Sequence, residues 1–195
     1  GGLDVPVVLG SRSTYVRGRL GGLEGRALHQ GDVLNVLDGP LPAVRSLATP
    51  PPVGGEQETI VRVVLGPQAD RFSDEGIQTF LGSAYEMTQQ SDRMGARLRG
   101  PRIRHTRGHD IVSDGIALGS IQVPGDGQPI VLLVDRQSTG GYTKVATVCS
   151  FDIGRIGQVK PGQSLRFRAV TVDEAHRLLR EADASLEGIA TEETA

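Results

Sequence analysis

Residues 135–144 combine an unusual number of hydrogen-bonding groups with a Gly-Gly pair. A carboxylate, an amide, several hydroxyls, a phenol and an ammonium occur there, directly after the apolar run at 130–134. A turn between two strands requires the glycines, but it does not require this set of donors and acceptors. Polar groups that converge at the edge of an apolar core are typical of small-molecule sites. We therefore predict a substrate site that includes Asp135, Gln137, Thr139, Gly140, Gly141, Tyr142 and Lys144.

Two glutamines, Gln122 and Gln128, flank a Pro-Gly-Asp-Gly turn a little earlier in the chain. Each side chain offers donors and an acceptor, which is the complement of an amide or ureido group. We predict that both glutamines bind the amide of a substrate. The turn itself needs no functional explanation, so Asp126 is expected to be structural.

Arg93 and Arg97 lie in a glycine-bounded stretch that contains three arginines. Guanidinium groups bind carboxylates bidentately, so both residues are candidates for binding an acidic group of a substrate. The alternative, which the sequence slightly favours, is solvated charge with a pair to Asp92.

A hydroxyl-rich turn near the start of the chain is a further candidate for anion binding. Ser11, Ser13 and Thr14 follow Gly10, and hydroxyls beside a glycine can hold an anion together with backbone N–H groups. A turn that satisfies its own backbone is the alternative interpretation.

Other common chemistries lack their motifs. The four histidines show no metal-type spacing with carboxylates, and Cys149 is the single cysteine, so we predict no metal site. The sequence contains no Walker motif for a nucleotide phosphate and no Gly-x-Ser-x-Gly turn for a hydrolase. Cys149 lies in a strand-like apolar segment, and we expect it to behave as a small apolar residue.

The composition argues against several classes of partner. Lysine and arginine number 21 against 23 aspartate and glutamate, and the net charge of −2 gives no broad attraction to nucleic acid or anionic membrane. There is no tryptophan, so platforms for stacking bases are not expected. The apolar runs are far too short to span a bilayer and no signal peptide is visible, so we predict a cytoplasmic protein.

Glycine and proline divide the 195 residues into segments. Residues 1–48 contain short apolar doublets between turn signals, which favours strands and tight turns. The start has no methionine, so we interpret this segment as the C-terminal part of a truncated N-terminal β domain. Three prolines followed by two glycines then predict a linker at 49–56.

The remaining segments predict the framework for the polar residues. Residues 57–170 alternate short apolar runs with glycine turns and contain a short helix capped by Ser73, which favours a closed antiparallel β-barrel. Thr171 and Glu174 form a capping box for a C-terminal amphipathic helix over 171–188. The acidic residues 189–195 are expected to fray. The chain is thus predicted to be mainly β, with short helices and one terminal helix.

Six motifs occur together in a fixed order and cover nearly the whole chain, up to about residue 170. They are Gly10-Ser11-Arg12-Ser13-Thr14 with Gly21-Gly22 and Gly31-Asp32, Val64-Leu65-Gly66-Pro67-Gln68, Ser91-Asp92-Arg93-Met94-Gly95, Ile111-Val112-Ser113-Asp114-Gly115, Ile121-Gln122-Val123-Pro124 with Gln128, and Asp135-Arg136-Gln137-x-Thr139-Gly140-Gly141-Tyr142. By these motifs the chain resembles the allophanate hydrolase subunit 2 family. That biotin-dependent carboxyltransferase-type family runs through urea amidolyase and the bacterial 5-oxoprolinase subunits.

The sequence departs from this family in two places. The family usually has Gly-Gly-Tyr-Pro-Lys, whereas Thr143 stands here in place of the proline and adds a backbone donor beside Lys144. The amino-terminal portion of the family is also missing, so part of a composite site is expected to be absent.

The resemblance implies a cyclophilin-like β-barrel and a companion subunit of the allophanate hydrolase subunit 1 or kinase-inhibitor type. It implies a carboxyltransferase-type component of a urea carboxylase-like enzyme, which acts on a small amide with carboxybiotin delivered by a carrier domain. One alternative is a subunit of ATP-dependent 5-oxoprolinase, which hydrolyses a lactam to glutamate with ATP bound elsewhere in the complex. Another is a non-catalytic antagonist of a kinase-inhibitor partner.

Carboxyl transfer would give the predicted residues distinct roles. Lys144, Tyr142 and the backbone of Gly140 and Gly141 are candidate donors to the ureido oxygen that becomes negatively charged. Asp135 is a candidate for orienting an amide N–H or for acting as a base. Gln122 and Gln128 would recognise the amide of urea or of a lactam.

Overall fold

Residues 2–39, 45–47, 58–187 and 191–193 are the part of the chain that the computed structural model describes. They belong to two units, one formed by residues 1–49 with 190–195 and the other by residues 50–189. The division falls at Thr49, whereas the predicted linker at 49–56 lies outside the described residues.

The smaller unit contains short antiparallel pairings among turns. Strand β1 (Arg45–Leu47) pairs with β11 (Thr191–Glu193), and isolated bridges join Leu3 to Val36 and Tyr15 to Leu20. Residues 189–195 were predicted to fray, whereas residues 191–193 form backbone hydrogen bonds with β1. In the described part of this unit the expected strands are limited to these short pairings and a further bridge between Val8 and Ser11, because glycines with positive φ turn the chain repeatedly.

The larger unit is built from short strands and three α-helices among its described residues. The strands after β1 are β2 (Glu58–Leu65), β3 (Ala84–Met87), β4 (Gly95–Arg99), β5 (Asp110–Gly115), β6 (Ser120–Gln122), β7 (Ile130–Leu132), β8 (Thr139–Tyr142), β9 (Lys144–Val148) and β10 (Ser164–Ala169). The helices are α1 (Asp74–Gly82), α2 (Ile153–Gln158) and α3 (Val172–Glu187), with 3₁₀ turns at Ala69–Arg71 and Ser150–Asp152. None of the described helices is long and apolar enough to cross a membrane.

Seven strands close into a barrel in the order β10-β2-β9-β6-β7-β4-β3, with β3 returning to β10. Neighbouring strands are antiparallel except at the seam between β2 and β10, which run parallel from Glu58 opposite Ser164 to Val63 opposite Ala169. Inward-facing apolar side chains fill the barrel because alternate residues of each strand point to the same side. The core includes Val61, Val63, Ile121, Val131, Val145, Leu165 and Phe167. The predicted mainly β fold with a closed barrel is confirmed, and the parallel seam is the one departure from an all-antiparallel arrangement of these strands.

A two-stranded ribbon of β5 and β8 lies outside the hydrogen-bonded order of the barrel. Asp114 pairs with Gly140 and Asp110 pairs with Tyr142, with an irregular register between these two pairs. The ribbon leads directly into β9, because only Thr143 separates Tyr142 from Lys144. It thus carries Gly140 and Gly141, which were predicted to form a turn but lie within strand β8, to the start of β9.

Both predicted helix caps are present. The Ser73 hydroxyl accepts a hydrogen bond from the Gly76 N–H at 2.9 Å, and the Thr171 hydroxyl accepts one from the Glu174 N–H at 3.1 Å. These bonds satisfy backbone donors that a helix leaves unpaired in its first turn. The helices predicted at Ser73 and Thr171 are therefore confirmed.

Candidate functional site

Lys144 is the first residue of β9, and only 2% of its side chain is exposed. Its Nζ lies 3.1 Å from Oδ2 of Asp114 on the ribbon, and the Asp114 side chain is 55% exposed. A buried ammonium needs such a partner, because leaving its charge unpaired in an apolar environment is costly. The ion pair therefore stands where the core meets the solvent, and its outer member is accessible.

The Asp114 carboxylate is held in the charged state by several donors. Lys144 is the first of them and lowers the pKa of the Asp114 carboxyl below its usual range. The Gly115 N–H donates to Oδ1 of Asp114 at 2.7 Å and lowers this pKa further. Asp114 is consequently a hydrogen-bond acceptor at neutral pH and not a proton donor.

Gln68 joins this pair from the chain that follows β2. Its backbone N–H donates to the Lys144 carbonyl at 3.1 Å, and its Oε1 accepts from the Lys144 N–H at 3.1 Å. The Gln68 side chain also hydrogen-bonds Asp114 and contributes to lowering the pKa of that carboxyl. Gln68 thus contacts both members of the ion pair.

Gln122 ends β6 and stands opposite Lys144 in the strand register. The residue is 2% exposed, and its Nε2 is buried without a hydrogen-bond partner among the described residues. A Cβ placed on Gly140 would lie 2.9 Å from this Nε2 and 2.7 Å from Cδ1 of Ile116. A side chain at position 140 would therefore displace the ends of the Gln122 and Ile116 side chains.

The residues around Tyr142 and Thr143 complete the site. Tyr142 is exposed at the end of β8, and its ring centroid lies 6.3 Å from that of His109. Thr143 is buried, and its N–H donates to the His109 carbonyl at 3.0 Å while its hydroxyl lies 3.1 Å from Nε2 of His105. The backbone donor that replaces the family's proline is thus used inside the fold. Burial lowers the pKa of His105, which favours its neutral form.

Asp135 is placed apart from this ion pair, in a bidentate contact with Arg93. Nε and Nη2 of Arg93 lie 2.9 and 3.2 Å from the two carboxylate oxygens. Asp92, the partner considered in the alternative interpretation of this stretch, accepts hydrogen bonds from the N–H groups of Met94 and Gly95. A catalytic role of Asp135 stays a prediction.

Gln128 forms a closed pair of hydrogen bonds with the backbone of Gly100. Its Oε1 accepts from the Gly100 N–H at 2.8 Å, and its Nε2 donates to the Gly100 carbonyl at 3.1 Å. Each end of the amide thus has one backbone partner, and the predicted substrate contact, which stays a prediction, would use the remaining N–H or lone pair. Thr139, Gln137 and Arg97 are exposed, and a Cβ placed on Gly140 would lie 3.5 Å from Nε2 of Gln137.

The hydroxyl turn lies in the smaller unit. The Ser13 N–H donates to the Ser11 Oγ at 3.1 Å, which is the self-satisfying arrangement considered as the alternative. The Thr14 hydroxyl occupies the place of a side chain at Gly22, since a Cβ there would lie 1.8 Å from its Oγ1. An anion-binding role for these three residues stays a prediction.

Two residues of the site, Asp114 and Gln68, were not predicted from residue types. Each lies inside a motif that carries the family resemblance, and each bonds a residue distant in sequence. Their place inside those motifs is the sequence signal that could have identified them. Together the groups provide a cation and an amide donor beside the glycine pair of β8, and such donors can stabilise negative charge that develops on an oxygen atom.

Comparison with known proteins gives a consistent result for this chain. Residues 1–169 match the family described as carboxyltransferase domain, subdomain A and B. A 5-oxoprolinase subunit of Escherichia coli (strain K12) is 35% identical over 175 residues, which cover 90% of this chain and 56% of that protein. Urea amidolyase of Lachancea kluyveri is 34% identical over 213 residues, covering 96% of this chain and 11% of that protein. The chain thus spans about half the length of the bacterial relative.

Two solved structures are similar to this chain in fold. The crystal structure of the K. lactis urea amidolyase matches with a TM-score of 0.82 and 31% sequence identity, covering 95% of this chain and 12% of that chain. The K. lactis urea carboxylase matches with a TM-score of 0.79 and 32% identity, covering 95% of this chain and 18% of that chain.

Proposed function

We propose that this chain is the component of a urea carboxylase-like enzyme that binds the amide substrate. The reason is that the chain belongs to the family of the carboxyltransferase domain, subdomain A and B. The observation that supports this most is the buried Lys144 ammonium, which lies 3.1 Å from Asp114. Gln122, whose amide Nε2 has no partner among the described residues, stands opposite Lys144 in the strand register. Donors fixed in a water-poor site stabilise an oxygen that gains negative charge in the transition state.

A ureido group fits this donor set. Its carbonyl oxygen accepts hydrogen bonds and its N–H groups donate, so it complements an ammonium, an amide N–H and a carboxylate. Carboxybiotin, delivered by a carrier domain, would supply the carboxyl group to be transferred. Lys144 donates to the ureido oxygen that becomes negatively charged. Asp114 holds the ammonium in place and accepts a hydrogen bond from a ureido N–H through its exposed side. Gly140 and Gly141 let the backbone approach the ligand closely, and Tyr142 donates from the rim.

A second function uses the same site for a lactam. The relatives named as 5-oxoprolinase subunits in E. coli and Haemophilus influenzae are 35% and 33% identical to this chain. In that role the site would bind the cyclic amide of 5-oxoproline, and ATP would bind elsewhere in the complex. In both roles we propose a companion subunit of the allophanate hydrolase subunit 1 type, since one set of relatives are subunits and the other is a multidomain enzyme.

The test is a turnover assay on the full-length protein with its companion subunit. One mixture contains ATP and 5-oxoproline, and the other contains a carboxybiotin carrier and urea. Carrier-dependent carboxylation of urea supports the first proposal, and glutamate formation replaces it with the second. If neither product forms while the two subunits bind tightly, both catalytic proposals fail and a regulatory role replaces them.

The chain offers a matched control for the central residue. Lys144 and Lys160 are its two lysines, and Lys160 is exposed outside the site. Lys144→Met is expected to reduce kcat by about 100-fold or more, as loss of an oxyanion donor does. Lys160→Met should leave turnover unchanged, and equal rates for the two variants would contradict the role of Lys144.

A further inference from the structure

The two donors of the site lie under the ribbon of β5 and β8. Nζ of Lys144 is buried against Asp114 of β5, and Nε2 of Gln122 is buried beneath Gly140 of β8. Asp114 and Gly140 are paired with each other across the ribbon. One paired step of the ribbon therefore covers both donors at once.

The unpaired Gln122 amide lowers the stability of the folded protein when no ligand is bound. A buried donor without a partner destabilises the folded state, and most buried polar groups in proteins are paired. A methionine of similar length would fill the same space without this penalty. An unpaired amide N–H on the residue opposite Lys144 in the strand register points to an acceptor that is present only part of the time.

The β5–β8 ribbon forms a sheet of its own, outside the hydrogen-bonded order of the barrel. The ribbon has only two strands, its register is irregular between Asp110 and Asp114, and β8 contains two consecutive glycines. Val112 on β5 is 92% exposed, so this part of the ribbon is not packed against the rest of the described chain. Segments with few buried contacts and few ladder bonds open at low free energy while the core stays folded.

We propose that the β5–β8 ribbon is a lid over a binding site for a carbonyl oxygen, in which Gln122 Nε2 and Lys144 Nζ are the two donors. Its ligand class is the carbonyl of a ureido or lactam group, and this assignment rests on the proposed function. Opening the ribbon exposes both donors, and closing it over the ligand returns them to a site without water. Gly140 is the point of closest approach, so it fixes how deep the carbonyl oxygen enters.

The test compares Gln122→Met with the wild type in the full-length protein bound to its companion subunit. Binding of 2-imidazolidinone, a cyclic urea, and of 5-oxoproline, a lactam, is measured by isothermal titration and by the thermal shift of each protein. Without probe, Gln122→Met is expected to raise Tm because it removes the unpaired amide. With probe, it should bind at least about tenfold more weakly than wild type. Gln158→Met, an exposed glutamine outside the site, is the control and should match wild type in both measurements.

Hydrogen exchange tests the lid directly. The N–H groups of β5 and β8 should exchange faster than those of β9 in the free protein and should slow when a probe binds. Should Gln122→Met fail to fold, Gly140→Ala serves instead, because its Cβ would collide with the Gln122 amide and weaken probe binding.

The outcomes separate this inference from the proposed function. Probe binding that depends on Gln122 without turnover supports the site and removes the proposed function. Normal turnover with equal probe binding by wild type and Gln122→Met overturns the site. The absence of binding by either probe at millimolar concentration, or ribbon exchange as slow as that of β9, also overturns it. Tight binding of one probe only identifies the ligand as ureido or lactam.

Discussion

Gln68 and Lys144 are joined by two hydrogen bonds. Gln68 follows strand β2, and Lys144 begins strand β9. The Gln68 N–H donates to the Lys144 carbonyl, and the Lys144 N–H donates to Gln68 Oε1, both at 3.1 Å. The main chain of Lys144 is therefore fixed by Gln68, while its ammonium is fixed by Asp114. The position of the cation does not depend on the flexible side chain alone.

Gln68→Met should weaken the site without unfolding the barrel. It removes the acceptor of the Lys144 N–H and the hydrogen bond that lowers the pKa of Asp114. We expect kcat to fall about tenfold and the acid limb of the pH–rate profile to move to higher pH. Steady-state kinetics between pH 4 and about 8 check this, and an unchanged pH profile would show that Gln68 has only a structural role.

Asp114 should contribute a pH-dependent increment to stability. Because Lys144 lowers its folded-state pKa, the contribution is complete above the unfolded pKa of about 3.9 and is lost as pH falls through the folded pKa. Urea unfolding at a series of acidic pH values measures it. Asp114→Asn should remove this part of the acid dependence, whereas Asp183→Asn, an exposed residue of α3, should retain it.

His105 should make the fold sensitive to mild acid. Burial lowers its folded-state pKa, so below the unfolded value of about 6.5 the unfolded chain binds a proton more readily. The free energy of unfolding should fall as pH drops through this value and should level off below the folded pKa. His105→Gln is expected to reduce this dependence. The same substitution at His176, which is exposed on α3, should leave it in place.

Asp152 should be essential for stability and not for chemistry. It is fully buried and accepts from the backbone N–H of Arg62 at 2.8 Å and from its Nε and Nη2 at 2.7 and 2.5 Å. Asp152→Asn is expected to cost about 3 kcal/mol in urea unfolding, because it leaves a partly buried guanidinium without its charge partner. Glu86→Gln, which breaks the exposed pair with Arg99, should cost less than about 1 kcal/mol.

Gln128 and Gln122 should respond in opposite ways to the same substitution. Gln128→Met breaks two hydrogen bonds to Gly100 and should destabilise the protein by about 1–2 kcal/mol while leaving probe binding intact. Gln122→Met should stabilise the free protein and weaken probe binding. Calorimetry on both variants checks this contrast, and reduced probe affinity of Gln128→Met would restore its predicted substrate role.

Much of the framework could be predicted because its signals are local. The caps at Ser73 and Thr171 satisfy backbone donors within one helical turn, and alternating apolar residues define a strand whatever its partner is. The glycine turn and Lys144 were found for the same reason, since a cluster of polar groups after an apolar run is visible in the sequence.

The pairing within the site could not be predicted, because it depends on register. Asp135 is near Lys144 in sequence, yet it pairs with Arg93, which precedes it by 42 residues. Asp114 reaches Lys144 through an irregular pairing of β5 with β8 that residue types do not specify. The strand pairing therefore selects the carboxylate that contacts the lysine, and closeness in sequence does not.

The parallel seam between β2 and β10 has a consequence for how the protein is made. The first strand of the barrel pairs on one side with β9 and on the other with its last strand, β10. During synthesis β2 therefore leaves the ribosome long before either neighbour exists, with both edges of a Thr-, Ile- and Val-rich strand unpaired. Such edges attract other chains until they are covered. Production of this protein in cells should accordingly depend on chaperones and on low temperature more than its final stability suggests.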